Sequence, residues 1–190
     1  ALNISFASVK ERVEQLHEAN PMLGHRGCRL AITYPEILEM QVTAIITAAC
    51  NMHKKGITVL PEIMIPLTID PKEFAILEAR VRSVADAILK KHEAKIKYLV
   101  GTMIETPRAA LLADKIAERA EFFSFGTNDL TQMTLGISRD DAAKFLPAYV
   151  DEQKAGVFPA DPFQSLDQAG VGLLVKEGIA KGRSTRPELK

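Results

Sequence analysis

Between residues 57 and 125, short apolar runs rich in β-branched side chains alternate with longer stretches of helical period. Residues 57–67 form one such run, with a proline near each end, and read as a strand buried on both faces. Asp70-Pro71 with Glu73 then opens a helix whose apolar stripe is Phe74, Leu77, Val81, Val84 and Ile88. Residues 98–104 give the next strand, Thr106-Pro107 opens a helix running through Arg119, and residues 121–125 give a further apolar run. Strand, helix, strand, helix, strand in this order predicts parallel βα units, because parallel neighbours need a long crossover and a helix supplies it. The fold class is therefore α/β, and periodicity alone leaves a closed barrel and an open sheet as alternatives.

The flanks are less regular. Ser8 and Glu11 stand in capping-box spacing ahead of Val9, Val13 and Leu16, which predicts a helix over 8–19, stopped by Asn20-Pro21. Residues 22–32 read as a short strand or extended turn. Thr33 and Glu36, with Pro35 between them, predict a second capped helix ending near Lys54, just before Gly56. Past Leu130, residues 140–145 and 163–181 read as helical and residues 156–162 as a loop. The 190 residues, 47% hydrophobic and 25% charged, suit one globular domain. The last residues, Arg186-Pro187-Glu188-Leu189-Lys190, stop where a parallel fold would pass into another strand, so an incomplete domain is expected.

Charge and composition exclude several classes of partner. Lysine plus arginine equals aspartate plus glutamate at 24 each, so no net field attracts nucleic acid or an anionic membrane. No run approaches a membrane span and no signal pattern opens the chain, which places it in the cytoplasm by expectation. Cys28 and Cys50 lie in separate predicted elements and form no metal-ligand pair, and Cys28 reads as a small apolar filler. His17, His25, His53 and His92 give neither triad nor metal spacing, and only His25 neighbours the residues of interest below. There is no glycine-rich phosphate loop and no serine elbow.

The chemistry concentrates where predicted strands run into loops, the ligand face of parallel βα folds. Glu105 ends one strand, and Asn128 and Asp129 follow Gly126-Thr127 at the end of the next. Two carboxylates on consecutive strand ends suit a hard cation such as Mg²⁺ that also binds substrate oxygens. The plainer readings are that Glu105 complements a helix dipole and that Asn128-Asp129 is ordinary turn chemistry. Arg26 and Arg29 could each grip a carboxylate or phosphate, but in an extended run their spacing sends them to opposite faces. One should therefore face the ligand and the other make a structural ion pair. Arg139 is by default a surface residue at a helix start.

Four ordered segments, NPMLGHRGCRLAITYPEI, EIMIPLTIDP, GTMIETPRAALLADKIA and AEFFSFGTNDLTQMTLGISRDD, resemble the phosphoenolpyruvate-utilising enzyme family over most of residues 20–141. RGCRL and SFGTNDLTQMTLGISRDD are most similar to its pyruvate phosphate dikinase branch. The resemblance implies parallel βα units of an incomplete TIM (β/α)8 barrel, about the third to sixth strands across residues 1–190. It implies Mg²⁺ as cofactor, with Glu105 and Asp129 as its ligands. It further implies phosphoenolpyruvate and pyruvate as substrates, contacted by Gly126, Thr127, Asn128 and Arg139, with Arg26 on the phosphate. Asn128 and Arg26 are the residues it assigns to catalysis, Asn128 by orienting the enolate. The partners it implies are the phosphohistidine and ATP-binding domains of a homodimeric parent, with no nucleic acid and no membrane.

There are departures as well. The family's acid is a cysteine on a strand following a segment like RPELK, and neither Cys28 nor Cys50 stands at that motif position. Two further substrate-binding arginines of the family belong to strands ahead of residue 1. The chain alone is therefore expected to be inactive. The rival readings are another branch such as phosphoenolpyruvate synthase, a non-catalytic binding module, or a complete lyase of the enolate-Mg²⁺ type.

Overall fold

The computed structural model describes residues 4–190. Three strands, β1 (Glu62–Ile65), β2 (Leu99–Ile104) and β3 (Phe123–Phe125), form one parallel sheet in that spatial order. Ile63 pairs with Val100 and Ile65 with Thr102 on one side, and Thr102 with Phe123 and Ile104 with Phe125 on the other. The expected mixed α/β architecture with parallel strands is therefore present. Ile63, Ile65, Val100 and Ile104 point to the buried face, where they join one apolar core with Phe74, Leu77 and Val81. The opposite face is barer: Met64 is 41% exposed, so residues 57–67 do not form a strand buried on both faces. The physical reason is that helices cover only one side of the sheet at this position.

Between β1 and β2 runs α4 (Pro71–Lys91), which begins as its sequence dictates. The Asp70 carboxylate accepts from Lys72 N at 2.9 Å, and Glu73 Oε2 accepts from Ile69 N and Asp70 N at 2.9 and 3.1 Å, completing a capping box. The β2–β3 connection, expected as one helix, is two: α5 (Pro107–Leu111) and α6 (Ala113–Ala117), broken at Leu112. The carbonyls freed near the break and at the end of α6 are taken up from a later helix, α9 (Val171–Thr185). Lys181 Nζ donates to Leu111 O and Arg186 Nε to Ala117 O. Gly178 and Gly182 allow α9 to lie against Phe125 and Phe123, because an added Cβ would stand 3.1 and 2.6 Å from their rings.

The N-terminal expectations need correction. The first helix, α1 (Phe6–Gln15), is capped by Ser5, whose hydroxyl accepts from Ser8 N at 3.1 Å, so Ser8 lies inside the helix. Residues 22–32 are not a strand. Pro21–Leu23 forms a single 3-10 turn, and α2 (Cys28–Thr33) follows Gly27, whose positive φ of 58° turns the chain. Cys28 N donates to Pro66 O, so the segment docks on the loop after β1 instead of joining the sheet edge. The helix α3 (Pro35–His53) starts at proline without a side-chain cap, since Thr33 Oγ1 turns back to Arg29 O and Leu30 O.

Beyond β3 come α7 (Thr127–Leu135), a 3-10 turn at Ala142–Lys144 and α8 (Leu146–Val150). Residues 163–170, read from sequence as helical, are irregular, and the helix starts only at Val171. Gly170 is the N-cap there, and Asp167 Oδ2 just ahead of it accepts from Gly170 N and Val171 N. At the far side of β3, Phe123 N donates to Lys190 O at 2.9 Å. No helix among the described residues is long and apolar enough to cross a membrane.

Candidate functional site

Glu105 is the first residue past β2, and its position follows from that of the strand. Residues 102 and 104 face the helices, and the chain then turns into α5, whose first-turn amide at Ala109 is capped by Thr106 Oγ1. Thr106, not Glu105, is therefore the helix cap, and Glu105 stands immediately before it. Glu105 is only 3% exposed, and its Oε1 accepts from Leu67 N at 2.7 Å. Gly126 backs it so closely that an added Cβ would meet Glu105 Oε2 at 2.4 Å. Glycine is required there because any side chain would displace the carboxylate.

Asp129 comes from the next strand end by a different route. Gly126 N donates to Ile104 O, and Gly126 serves as the N-cap of α7, so Thr127, Asn128 and Asp129 occupy the first helical turn instead of a loop. Asp129 lies near enough to Glu105 for its charge to act on the Glu105 carboxyl. Burial raises the Glu105 carboxyl above the usual carboxylate range, the Leu67 amide opposes this, and the adjacent Asp129 charge adds to it. Two carboxylates thus share one small volume with incomplete compensation. The cation that touches Asp129 is Arg26, whose Nη2 lies 3.0 Å from Asp129 Oδ2 while Nη1 donates to Met22 O at 3.1 Å.

The choice between the two arginines, open in the sequence, is made by the turn at Gly27. Arg29 lies on α2 and donates from Nη1 to Leu23 O and Gly24 O at 2.6 and 2.9 Å. Among the described residues it makes no ion pair, contrary to expectation, and its guanidinium is taken up by those carbonyls of the 3-10 turn. Arg139 donates from Nη1 to Asn128 Oδ1 at 2.9 Å, and its guanidinium sits 5.9 Å from the Phe163 ring centroid. Thr127, Asn128, Thr131, Arg139 and Phe163 line a cleft of about 310 Å³ beside the carboxylates' helix. The exposed Thr127 and Asn128 face solvent at its mouth.

Two contributors escaped sequence reasoning. Gln132, buried one turn after Asp129, accepts from Arg139 N at 2.8 Å through Oε1 and so ties the Arg139 segment to α7. Its place three residues beyond Asp129 on one helix face was a signal that could have found it. Leu67 gave no signal: it lies at φ 59°, a left-handed conformation that costs a non-glycine residue about 1–2 kcal/mol, and supplies the amide to Glu105. Cys28 is confirmed as buried, but in a helix, with its Sγ donating to Leu67 O at 3.0 Å. Burial and the neighbouring Glu73 push its thiol up to about 12.

The chain is an α/β protein that brings two carboxylates from successive strand ends close to one another and an arginine onto one of them. The profile of the family described as PEP-utilising enzyme, PEP-binding domain matches residues 5–186, and the chain belongs to this family. Among curated proteins it is similar to pyruvate, phosphate dikinase of Giardia intestinalis, 57% identical over 189 residues. It is 55% identical over 190 residues to the protein of that name from Clostridium symbiosum. It is 56% identical over 182 residues to the chloroplastic pyruvate, phosphate dikinase 1 of Arabidopsis thaliana. These alignments cover 100%, 100% and 96% of this chain but only 21%, 21% and 19% of the relatives, so the chain spans about a fifth of their length.

Proposed function

We propose that this chain forms part of the phosphoenolpyruvate- and pyruvate-binding barrel of a phosphotransferase of the pyruvate phosphate dikinase type. The observation that carries the reading is the approach of Glu105 and Asp129 from successive strand ends, close enough for one charge to raise the other's carboxyl. Unlike structural ion pairs, such a pair invites a cation, and hard carboxylate oxygens match Mg²⁺. Among the described residues no group of three or more histidine, cysteine, aspartate or glutamate side chains could hold a metal by itself. Glu105 and Asp129 would therefore leave much of the ion's shell to substrate and water oxygens, as Mg²⁺ tolerates. When bound, the ion would supply Lewis-acid stabilisation of charge developing on substrate oxygens.

The chain's own residues would do the remainder. In the family reaction pyruvate would give up a methyl proton to the family's cysteine, and its enolate oxygen would bond to phosphorus as the N–P bond of a phosphohistidine breaks. Arg26 would bind the phosphoryl oxygens and Asn128 would orient the enolate, each exchanging an internal partner for substrate. Arg139 would bind substrate across the cleft it shares with Asn128, and the α7 amides of Thr127 and Asn128 would favour an anion at the helix N-terminus. The phosphohistidine and ATP-binding domains would come from the parent polypeptide, which we expect to be a homodimer. By itself the chain should show neither ATP-dependent turnover nor proton exchange at the pyruvate methyl group.

Calorimetric titration of Mg²⁺ with phosphoenolpyruvate present tests the assignment. Binding should be measurable for the wild-type chain and lost in both Glu105→Gln and Asp129→Asn. Unchanged binding in either variant would remove that residue from the ligand set.

A further inference from the structure

The charged groups of this site are held in place by a loop that carries no charge. Leu67 sits in the left-handed region at φ 59° with its side chain fully buried. Its amide donates to Glu105 Oε1 at 2.7 Å, and its carbonyl accepts from Cys28 Sγ at 3.0 Å. The turn ahead of α2 packs on the same stretch. Cys28 N donates to Pro66 O at 3.1 Å, and an added Cβ at Gly27 would stand 2.9 Å from Leu67 Cβ. The next residue back is Arg26, whose guanidinium grips Asp129.

Both halves of the site therefore rest on one peptide unit. A left-handed leucine persists only where its surroundings over-determine it, and here amide, carbonyl and side chain are all engaged. Burial keeps Cys28 in its thiol form at neutral pH, so the S–H donor that fixes the Leu67 carbonyl is retained.

Resting on the cation-site reading above, we infer that the Leu67 peptide, oriented by the Cys28 thiol, is the positioning element that sets Glu105 against Asp129 and Arg26. Neither residue touches substrate. Leu67 aims one carboxylate oxygen at its amide and leaves the other beside Gly126. Outer partners of this kind commonly change metal affinity by about 10- to 100-fold when removed.

The test uses the isotopically labelled chain and three forms of it: wild type, Cys28→Ala and Cys28→Ser. The scalar coupling across the hydrogen bond between the Leu67 nitrogen and the Glu105 carboxyl carbon is measured by NMR, and Mn²⁺ binding is followed on the same samples. The coupling should be present in wild type, fall by at least half in Cys28→Ala and return in Cys28→Ser, with Mn²⁺ affinity lower by about tenfold in the alanine variant alone. A purely structural role for Cys28 would lower the melting temperature while leaving the coupling intact, and that result overturns the inference. So does a wild-type chain without the coupling, or a coupling lost at unchanged Mn²⁺ affinity. If the wild-type chain binds no Mn²⁺ while the coupling still follows the thiol, the cation reading fails and the positioning relation stands.

Discussion

Two glutamates that are both nearly buried behave oppositely here, and the difference lies in what faces them. Glu78 on α4 receives Arg119 Nη2 at 2.6 Å and the Arg82 guanidinium, and Arg82 also binds Glu121 at 2.7 Å. Burial alone would raise its carboxyl, but the two arginines prevail and hold it below the usual range. Its ionised form therefore stabilises the fold above the ordinary glutamate value, and that contribution is lost as pH falls through the lowered one. Glu78→Gln should cost about 2 kcal/mol in urea denaturation at neutral pH, a cost that shrinks in acid. Glu105 has the reverse sign. Its contribution is complete below the ordinary value and is lost as pH rises through the raised one. Urea denaturation from about pH 4 to about pH 8 should show wild type losing stability relative to Glu105→Gln, which keeps an acceptor for the Leu67 amide. Equal pH slopes for the two proteins would contradict the burial and Asp129 argument.

At the scale of elements, caps and glycines decide where helices begin and how closely they pack. Asp70 anchors the capping box of α4, the helix whose apolar stripe supplies Phe74, Leu77 and Val81 to the core. Asp70→Ala should lower stability, read as an earlier denaturation midpoint with an unchanged slope. On the other side of β3, Gly182 of α9 leaves no room for a side chain, because Phe123 Cε2 and Leu189 Cδ2 would each lie 2.6 Å from its Cβ. Gly182→Val should therefore cost about 2–3 kcal/mol by forcing α9 off the sheet, seen as a lower thermal midpoint in circular dichroism. A neutral outcome would mean that Phe123 and Leu189 can move aside together.

The whole molecule leaves apolar surface uncovered. α1 buries no residue, and Phe6 is 84% exposed with Val9, Val13 and Leu16 along the same helix. Met64 on the bare sheet face is also exposed. α9 packs on the helix side of β3 and Lys190 caps its edge by one hydrogen bond, but α1 shields neither sheet edge. Surfaces of this kind promote association. Sedimentation of the chain should give a mass that rises above 20.9 kDa with concentration, and Phe6→Glu with Val13→Glu should restore the monomer. A wild-type mass that stays at the monomer value across the series would refute this.

What the sequence alone determined are the features written locally. The parallel βα order, the Asp70-Pro71-Glu73 helix start and the strand-end positions of Glu105 and Asp129 all follow from hydrophobic period, capping chemistry and proline, which act over a few residues. The four motifs made the family legible as well. Spacing left Arg26 and Arg29 open and the motif resemblance favoured Arg26; only the tertiary structure shows that Arg26 meets Asp129 while Arg29 turns to backbone carbonyls, since this depends on a glycine turn docking against a loop some forty residues further on. It also made residues 22–32, read as a short strand or extended turn, into a 3-10 turn and the start of α2, which packs on that loop, α3 and α4 and not on the sheet edge. Leu67 was invisible beforehand for the same reason: a backbone amide carries no signature in its side chain, and its aim at Glu105 exists only once two distant strand ends are side by side.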